Sequence, residues 1–125
     1  MSVAEAQLEE LRREFPDATV ELRQDGLTLV TVPNLALPPG WNQSRTTVQF
    51  IAPVGYPMAQ PDCFWADDTL RLASGGTPKN SALQAPPFGG PQRVWFSWHV
   101  AGWNGSRDTL RSYLRVILNR LARPE

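Results

Sequence analysis

Between Val94 and Leu121 the spacing of apolar side chains changes from two residues to three or four, and that change limits the folds open to the chain. Val94, Phe96, Trp98 and Val100 alternate with Trp95, Ser97 and His99. In an extended segment successive side chains point to opposite faces, so the first set makes one continuous apolar surface. Leu110, Tyr113, Leu114, Ile117, Leu118 and Leu121 then form a single stripe of a helix. A strand with one apolar face and a helix with one apolar stripe can each be covered by the other. Arg111, Arg115 and Arg120 take the remaining helical positions and are read as its solvated side, with Ser106 or Asp108 as the cap.

The same patterns organise the earlier residues. Ser2 and Glu5 have capping-box spacing, Leu8, Leu11 and Phe15 share a helical face, and Pro16 stops that helix. Thr19 to Arg23 and Leu27 to Val32 read as strands joined at Asp25-Gly26, a strong hairpin signal. Pro33 to Gly40 reads as a proline-rich connection, Thr46 to Ile51 as a third strand and Cys63 to Trp65 as a short fourth. From Ala73 to Pro91 glycines and prolines dominate, and the segment reads either as a surface insertion or as a functional lid. The expected architecture is α+β: an N-terminal helix, a four-stranded antiparallel meander, a long loop and a C-terminal helix, with the helices on one side of the sheet.

Composition narrows the function classes. Twelve basic and twelve acidic side chains cancel, so no overall field favours nucleic acid or an anionic membrane. One cysteine excludes an intrachain disulfide and a cysteine-based zinc site, and one histidine excludes the usual His-rich metal sites. No apolar run approaches the roughly 20 residues of a membrane span, and the acidic N-terminus does not read as a signal peptide. The expectation is one soluble, cytoplasmic domain over residues 1–125, with no metal or organic cofactor of its own.

Within that frame Ser97 and His99 stand out. On one strand face they place a hydroxyl beside the chain's single imidazole, an arrangement that suits a nucleophile and its base. A serine hydroxyl is weak until a base takes its proton, and histidine titrates near neutral pH. Strand geometry separates the two Cα atoms by roughly 6.5 Å, so contact needs favourable rotamers or a local bend. The bland alternative is a solvated serine and a histidine that merely hydrogen-bonds a loop. Cys63 is the rival nucleophile, but Asp62 beside it would raise the thiol pKa, and free cysteine is usually buried and structural. Asp108 reads as a helix cap, and Trp41 either packs or joins Pro38-Pro39 in a partner surface.

The order of elements, with Tyr56-Pro57 and Pro61-Asp62 closing the meander, resembles the ubiquitin-conjugating enzyme (UBC) fold. More closely, the chain resembles the prokaryotic family E of ubiquitin-conjugating-enzyme-like proteins. The stretches that carry this are Gly55-Tyr56-Pro57, Pro61-Asp62-Cys63-Phe64-Trp65, Gly75-Gly76-x-Pro78, Trp95-x-Ser97-x-His99 and Trp103-Asn104 through Asp108-x-Leu110. The resemblance implies an active-site flap over about 73–93 and a ubiquitin-like protein and a ThiF-type activating enzyme as partners. It also implies a metallopeptidase-like operon partner and a bacterial modifier-transfer system, with a possible link to antiviral defence. The cysteine that conjugating enzymes carry shortly before the tryptophan is absent. Ser97 lies near that place, six residues ahead of Trp103, which implies an oxyester carried by Ser97 with His99 as base or positioner. The His-Pro-Asn motif of conjugating enzymes is missing too, unless Thr77-Pro78-Lys79-Asn80 is its remnant, in which case the resemblance implies Asn80 as an oxyanion contact across a long gap to Ser97. Tyr56, Trp103, Asn104 and Asp108 are supporting residues by the same resemblance, and Glu5, Glu9, Arg12 and Arg13 of the first helix are candidates for docking the activating enzyme. A non-catalytic module that holds a ubiquitin-like protein on the same fold is the alternative reading.

Overall fold

Ser2 opens the first helix, α1 (Val3–Glu14), as its spacing from Glu5 predicts. The Glu5 N–H donates to Ser2 Oγ at 3.1 Å and the Ser2 N–H donates to Glu5 Oε1 at 2.9 Å. Both are donors that a helix start otherwise leaves unpaired. The computed structural model describes residues 2–125. After α1 come β1 (Thr19–Leu22), β2 (Thr28–Ala36), β3 (Arg45–Ala52), β4 (Phe64–Ala66), β5 (Ser81–Gln84), β6 (Arg93–Phe96) and the helix α2 (Leu110–Leu121). The strands form one antiparallel sheet in the order β1-β2-β3-β4-β6-β5.

The expected meander of four strands is thus the first part of a six-stranded sheet. β5 lies inside residues 73–93, which the sequence reads as an unstructured flap, and β6 begins at Arg93. The hairpin they form is fastened at its tip. Phe88 packs edge-on against Trp65 with centroids 5.2 Å apart, and the Arg23 guanidinium donates to the Phe88 carbonyl at 2.8 Å.

β2 also runs further than its sequence suggests, through Pro33 to Ala36. Pro33 has no N–H for the ladder, and the register with β3 slips between Val32 and Leu35, with Asn34 left-handed at φ 59°. The extra residue turns Leu35 inward, so Val30, Val32 and Leu35 all face the core despite the odd step.

Helix α2 starts later than read. Its N-cap is Thr109, not Ser106 or Asp108, and Thr109 and Ser112 exchange the two capping hydrogen bonds. The apolar stripe behaves as expected, with Leu110, Tyr113, Leu114, Ile117 and Leu121 buried. Arg120 does not: it is only 1 % exposed, where the periodicity assigned it to solvent. Trp41 packs, and its indole N–H donates to the Leu121 carbonyl at 2.8 Å. Both helices share one core with Val48, Phe50, Phe64, Val94 and Phe96 of the sheet. Phe64 and Phe96 stack across β4 and β6 at 4.7 Å.

Candidate active site

Strand β6 lies between β4 and β5 and runs antiparallel to both. The start of β4, the end of β6 and the start of β5 therefore meet at one end of the sheet. Asp62 and Cys63 precede β4, Asn80 precedes β5, and Ser97 to His99 follow β6. Topology alone gathers these residues, which sequence distance keeps apart.

The hydrogen bonds show how closely they meet. The Ser97 N–H donates to the Asn80 carbonyl at 2.8 Å, which closes the long sequence gap between the two. On the other flank the Cys63 N–H donates to the Trp98 carbonyl at 3.0 Å, and the Tyr113 hydroxyl donates to the Cys63 carbonyl at 2.8 Å. Three non-glycine residues among those described have positive φ, and two of them, Cys63 at 60° and Asn80 at 58°, flank Ser97. A left-handed backbone is costly for a residue with a side chain and collects where a site needs particular geometry.

The strand ends at Phe96, but the expected apolar face continues past it, with Trp98 and Val100 packed against the core that holds Val94 and Phe96. Val94 and Phe96 are buried, Ser97 and Trp98 are half-buried and His99 is exposed. The His99 imidazole does not bond Ser97. Its Nδ1 pairs with the carboxylate of Asp62, both side chains being more than half exposed. Asp62 is the residue that sequence reasoning missed in this role. Its one signal was the Pro61-Asp62 motif, because the 37 residues between it and His99 carry no pattern.

Cys63 joins the same cluster. Its Sγ, an imidazole nitrogen and a carboxylate oxygen of Asp62 lie within 4.8 Å of one another, so the chain's single cysteine and single histidine are neighbours. These three donors are of kinds that a borderline-soft divalent ion accepts, one short of a closed four-ligand site. Burial pushes the Cys63 thiol up, the Trp98 backbone hydrogen bond opposes this, and Asp62 adds to the rise. The thiol is thus kept protonated at neutral pH, which weakens it as a nucleophile.

The supporting residues form two further groups. Tyr56 and Trp103 lean on each other with centroids 6.0 Å apart, and the Trp103 indole donates to the Pro57 carbonyl at 2.7 Å. The Tyr56 hydroxyl donates to Gln7 of α1, and burial, with Glu10 and Asp108 nearby, pushes its phenol well up. Asn104 and Asp108 serve each other. The Asn104 N–H donates to Asp108 Oδ2 at 2.8 Å and its carbonyl accepts from the Asp108 N–H at 2.7 Å. Asp108 therefore closes the turn before α2 rather than capping the helix.

The family model described as prokaryotic E2 family E matches residues 9–124, nearly the whole chain. No curated protein and no solved structure matches. No helix among the described residues is long and apolar enough to cross a membrane.

Proposed function

Because the chain belongs to prokaryotic E2 family E and so to ubiquitin-like conjugation in general, we propose that it carries a ubiquitin-like protein as an ester on Ser97 and hands it to an acceptor amine. The observation that supports this is the Asp62–His99 pair at the end of β6, two residues beyond Ser97. A carboxylate bonded to Nδ1 fixes the imidazole tautomer and leaves Nε2 free as a base.

The chemistry balances without a further reagent. The modifier arrives as an acyl thioester on a ThiF-type activating enzyme. Ser97 Oγ attacks the acyl carbon as His99 takes the hydroxyl proton, the new C–O bond forms, and the C–S bond breaks to release the thiolate. In the second step an amine attacks the same carbon and the ester C–O bond breaks. The imidazolium returns its proton to Ser97 Oγ, and the neutral imidazole left behind takes the surplus proton of the attacking amine and gives it to solvent. Asn80, beside Ser97, is the side chain suited to steady the oxyanion in both steps. The whole chain acts as one domain with the 73–93 hairpin as its flap. A metallopeptidase-like protein is the counterpart that would remove the modifier, in a cytoplasmic system for antiviral defence.

A second reading has one observation in its favour. Cys63 shares the cluster with His99 and Asp62, so a thioester on Cys63 is chemically open despite the raised thiol. The test is a charging reaction with ATP, the activating enzyme and the ubiquitin-like protein, using wild type, Ser97→Ala and Cys63→Ala. The expected adduct survives thiol reductant, yields to mild base and disappears only in Ser97→Ala. An adduct lost in Cys63→Ala transfers the role to the thiol. Binding without any adduct, from a competent activating enzyme, establishes the non-catalytic module instead.

A further inference from the structure

Arg120 is an expensive residue where it stands. Its side chain is among the largest fully buried ones, and no side-chain carboxylate of the described residues forms a salt bridge with it. Replacing a buried charge with an apolar side chain of similar volume is often neutral or stabilising, so filling space does not account for an arginine here. What an apolar residue cannot do is donate.

The guanidinium donates to main-chain oxygens of three residues: Lys79 at 3.0 Å, Arg123 at 2.8 Å and Glu125 at 2.8 Å. Lys79 is tied back, its N–H donating to the Glu125 oxygen at 3.1 Å. The planar cation also lies 5.1 Å from the centroid of Phe96 and 5.4 Å from that of Trp98, with Trp41 at 5.9 Å. Arg123 sits 5.4 Å from the Trp98 ring as well. Phe96 and Trp98 are the two sequence neighbours of Ser97, and Lys79 is the neighbour of Asn80. One side chain thus touches both segments whose backbones meet in the Ser97–Asn80 hydrogen bond.

We propose that Arg120 is a positioning residue: its fork and flat faces hold the Lys79–Asn80 and Phe96–Trp98 segments against each other, so that Ser97 stays opposed to Asn80. It touches no reacting atom. The role rests on the reading of Ser97 as the ester-bearing residue. Lysine cannot replace it, because an ammonium is a point charge without the planar fork that reaches three main-chain oxygens while its carbon lies over the rings of Phe96 and Trp98.

Native-state amide exchange and the charging reaction on Arg120→Met and Arg120→Lys test this. In both variants the Ser97 and Lys79 amides are expected to lose protection by about tenfold or more while β2 and β3 amides keep wild-type rates, the mark of local opening. Charging at saturating donor is expected to slow by about 10- to 100-fold with the half-saturating donor concentration unchanged, as for a misplaced nucleophile. Unchanged Ser97 protection overturns the proposal, as does equal loss across β2 and β3, which reports general destabilisation. Wild-type charging in a variant that has lost Ser97 protection overturns it too. If Arg120→Met does not fold, Arg120→Lys carries the same readouts. If the wild type forms no adduct, the Ser97 reading falls by itself, and amide exchange still decides whether Arg120 holds the segments.

Discussion

Substituting Gly105 by alanine tests how the segment from the site to α2 is anchored. A Cβ built there lies 2.4 Å from the Pro57 carbonyl oxygen and 2.9 Å from its carbon, with the Met58 methyl also at 2.9 Å. Met58 is 69 % exposed and swings away at little cost. The Pro57 carbonyl does not, because it is backbone and accepts the Trp103 indole N–H at 2.7 Å. A carbon and a carbonyl oxygen settle at about 3.3 Å or more, so the turn must withdraw by roughly 1 Å.

That withdrawal lengthens the indole hydrogen bond past useful range. Leaving a half-buried donor unpaired costs about 1–3 kcal/mol, and the strain of the shifted turn adds about 1 kcal/mol. Gly105 is not in the left-handed region, so alanine regains about 0.4–1 kcal/mol by restricting the unfolded chain. The net expectation is a loss of about 1–3.5 kcal/mol, or roughly 4–13 °C in Tm for a domain of this size. Urea unfolding followed by tryptophan fluorescence measures it, with an unchanged m-value as the sign that only stability moved. Trp103→Phe removes the same hydrogen bond, so the double variant should be less destabilised than the sum by about 0.5 kcal/mol or more. A Tm within about a degree of wild type, or strict additivity with Trp103→Phe, refutes the reasoning.

Two further outcomes follow from the site and the core. Both tyrosines have phenols pushed up, mainly by burial, so the folded chain holds them neutral where the unfolded chain would ionise them. Their contribution is complete below the ordinary phenol pKa of about 10 and falls away as pH rises above it. Phenolate absorbance should appear late and together with the loss of far-UV ellipticity; titration near the ordinary value with the fold intact contradicts this. Asp62→Asn should leave the melting temperature nearly unchanged, since both partners are more than half exposed. If the carboxylate orients His99, charging on Ser97 drops by about 100-fold, and undiminished charging removes Asp62 from the mechanism.

Local patterns made the two helices, the Asp25-Gly26 hairpin and most of the first four strands legible. Ser2 and Glu5 form the capping box their spacing predicts, because every atom involved lies within one turn. The failures come where distant chain decides. Pro33 argues against a strand, yet a bulge carries β2 past it. β5 shows no alternation because it is an edge strand whose Ala82, Leu83 and Gln84 are exposed, its ladder coming from β6 alone. Thr109 carries no strong cap signal in the sequence because its partner is Ser112 rather than the usual Glu or Gln. Periodicity puts Arg120 in solvent because it counts a cation as polar and cannot see the three main-chain acceptors and the aromatic rings beyond the helix.

The site shows the same division between what is local and what is not. Ser97 and His99 are visible in the sequence as a pair, but nothing in the spacing shows what orients the ring, which is the carboxylate of Asp62. The strand stops at Phe96, and off the ladder the backbone is free to leave the pleat. Asp62 and Asn80 arrive there because antiparallel pairing brings the starts of both neighbouring strands to the end of β6. The left-handed turns at Cys63 and Asn80 sit at the points where those strands begin. On the proposal that Ser97 bears the ester, a serine needs this convergence more than a cysteine would. A hydroxyl has no useful anion near neutral pH, so its reactivity depends on a base held in place and on a contact for the oxyanion. The carboxylate that holds the base and the oxyanion contact both come from other segments, and a strand end flanked by two strand starts is a place where a small sheet can supply them.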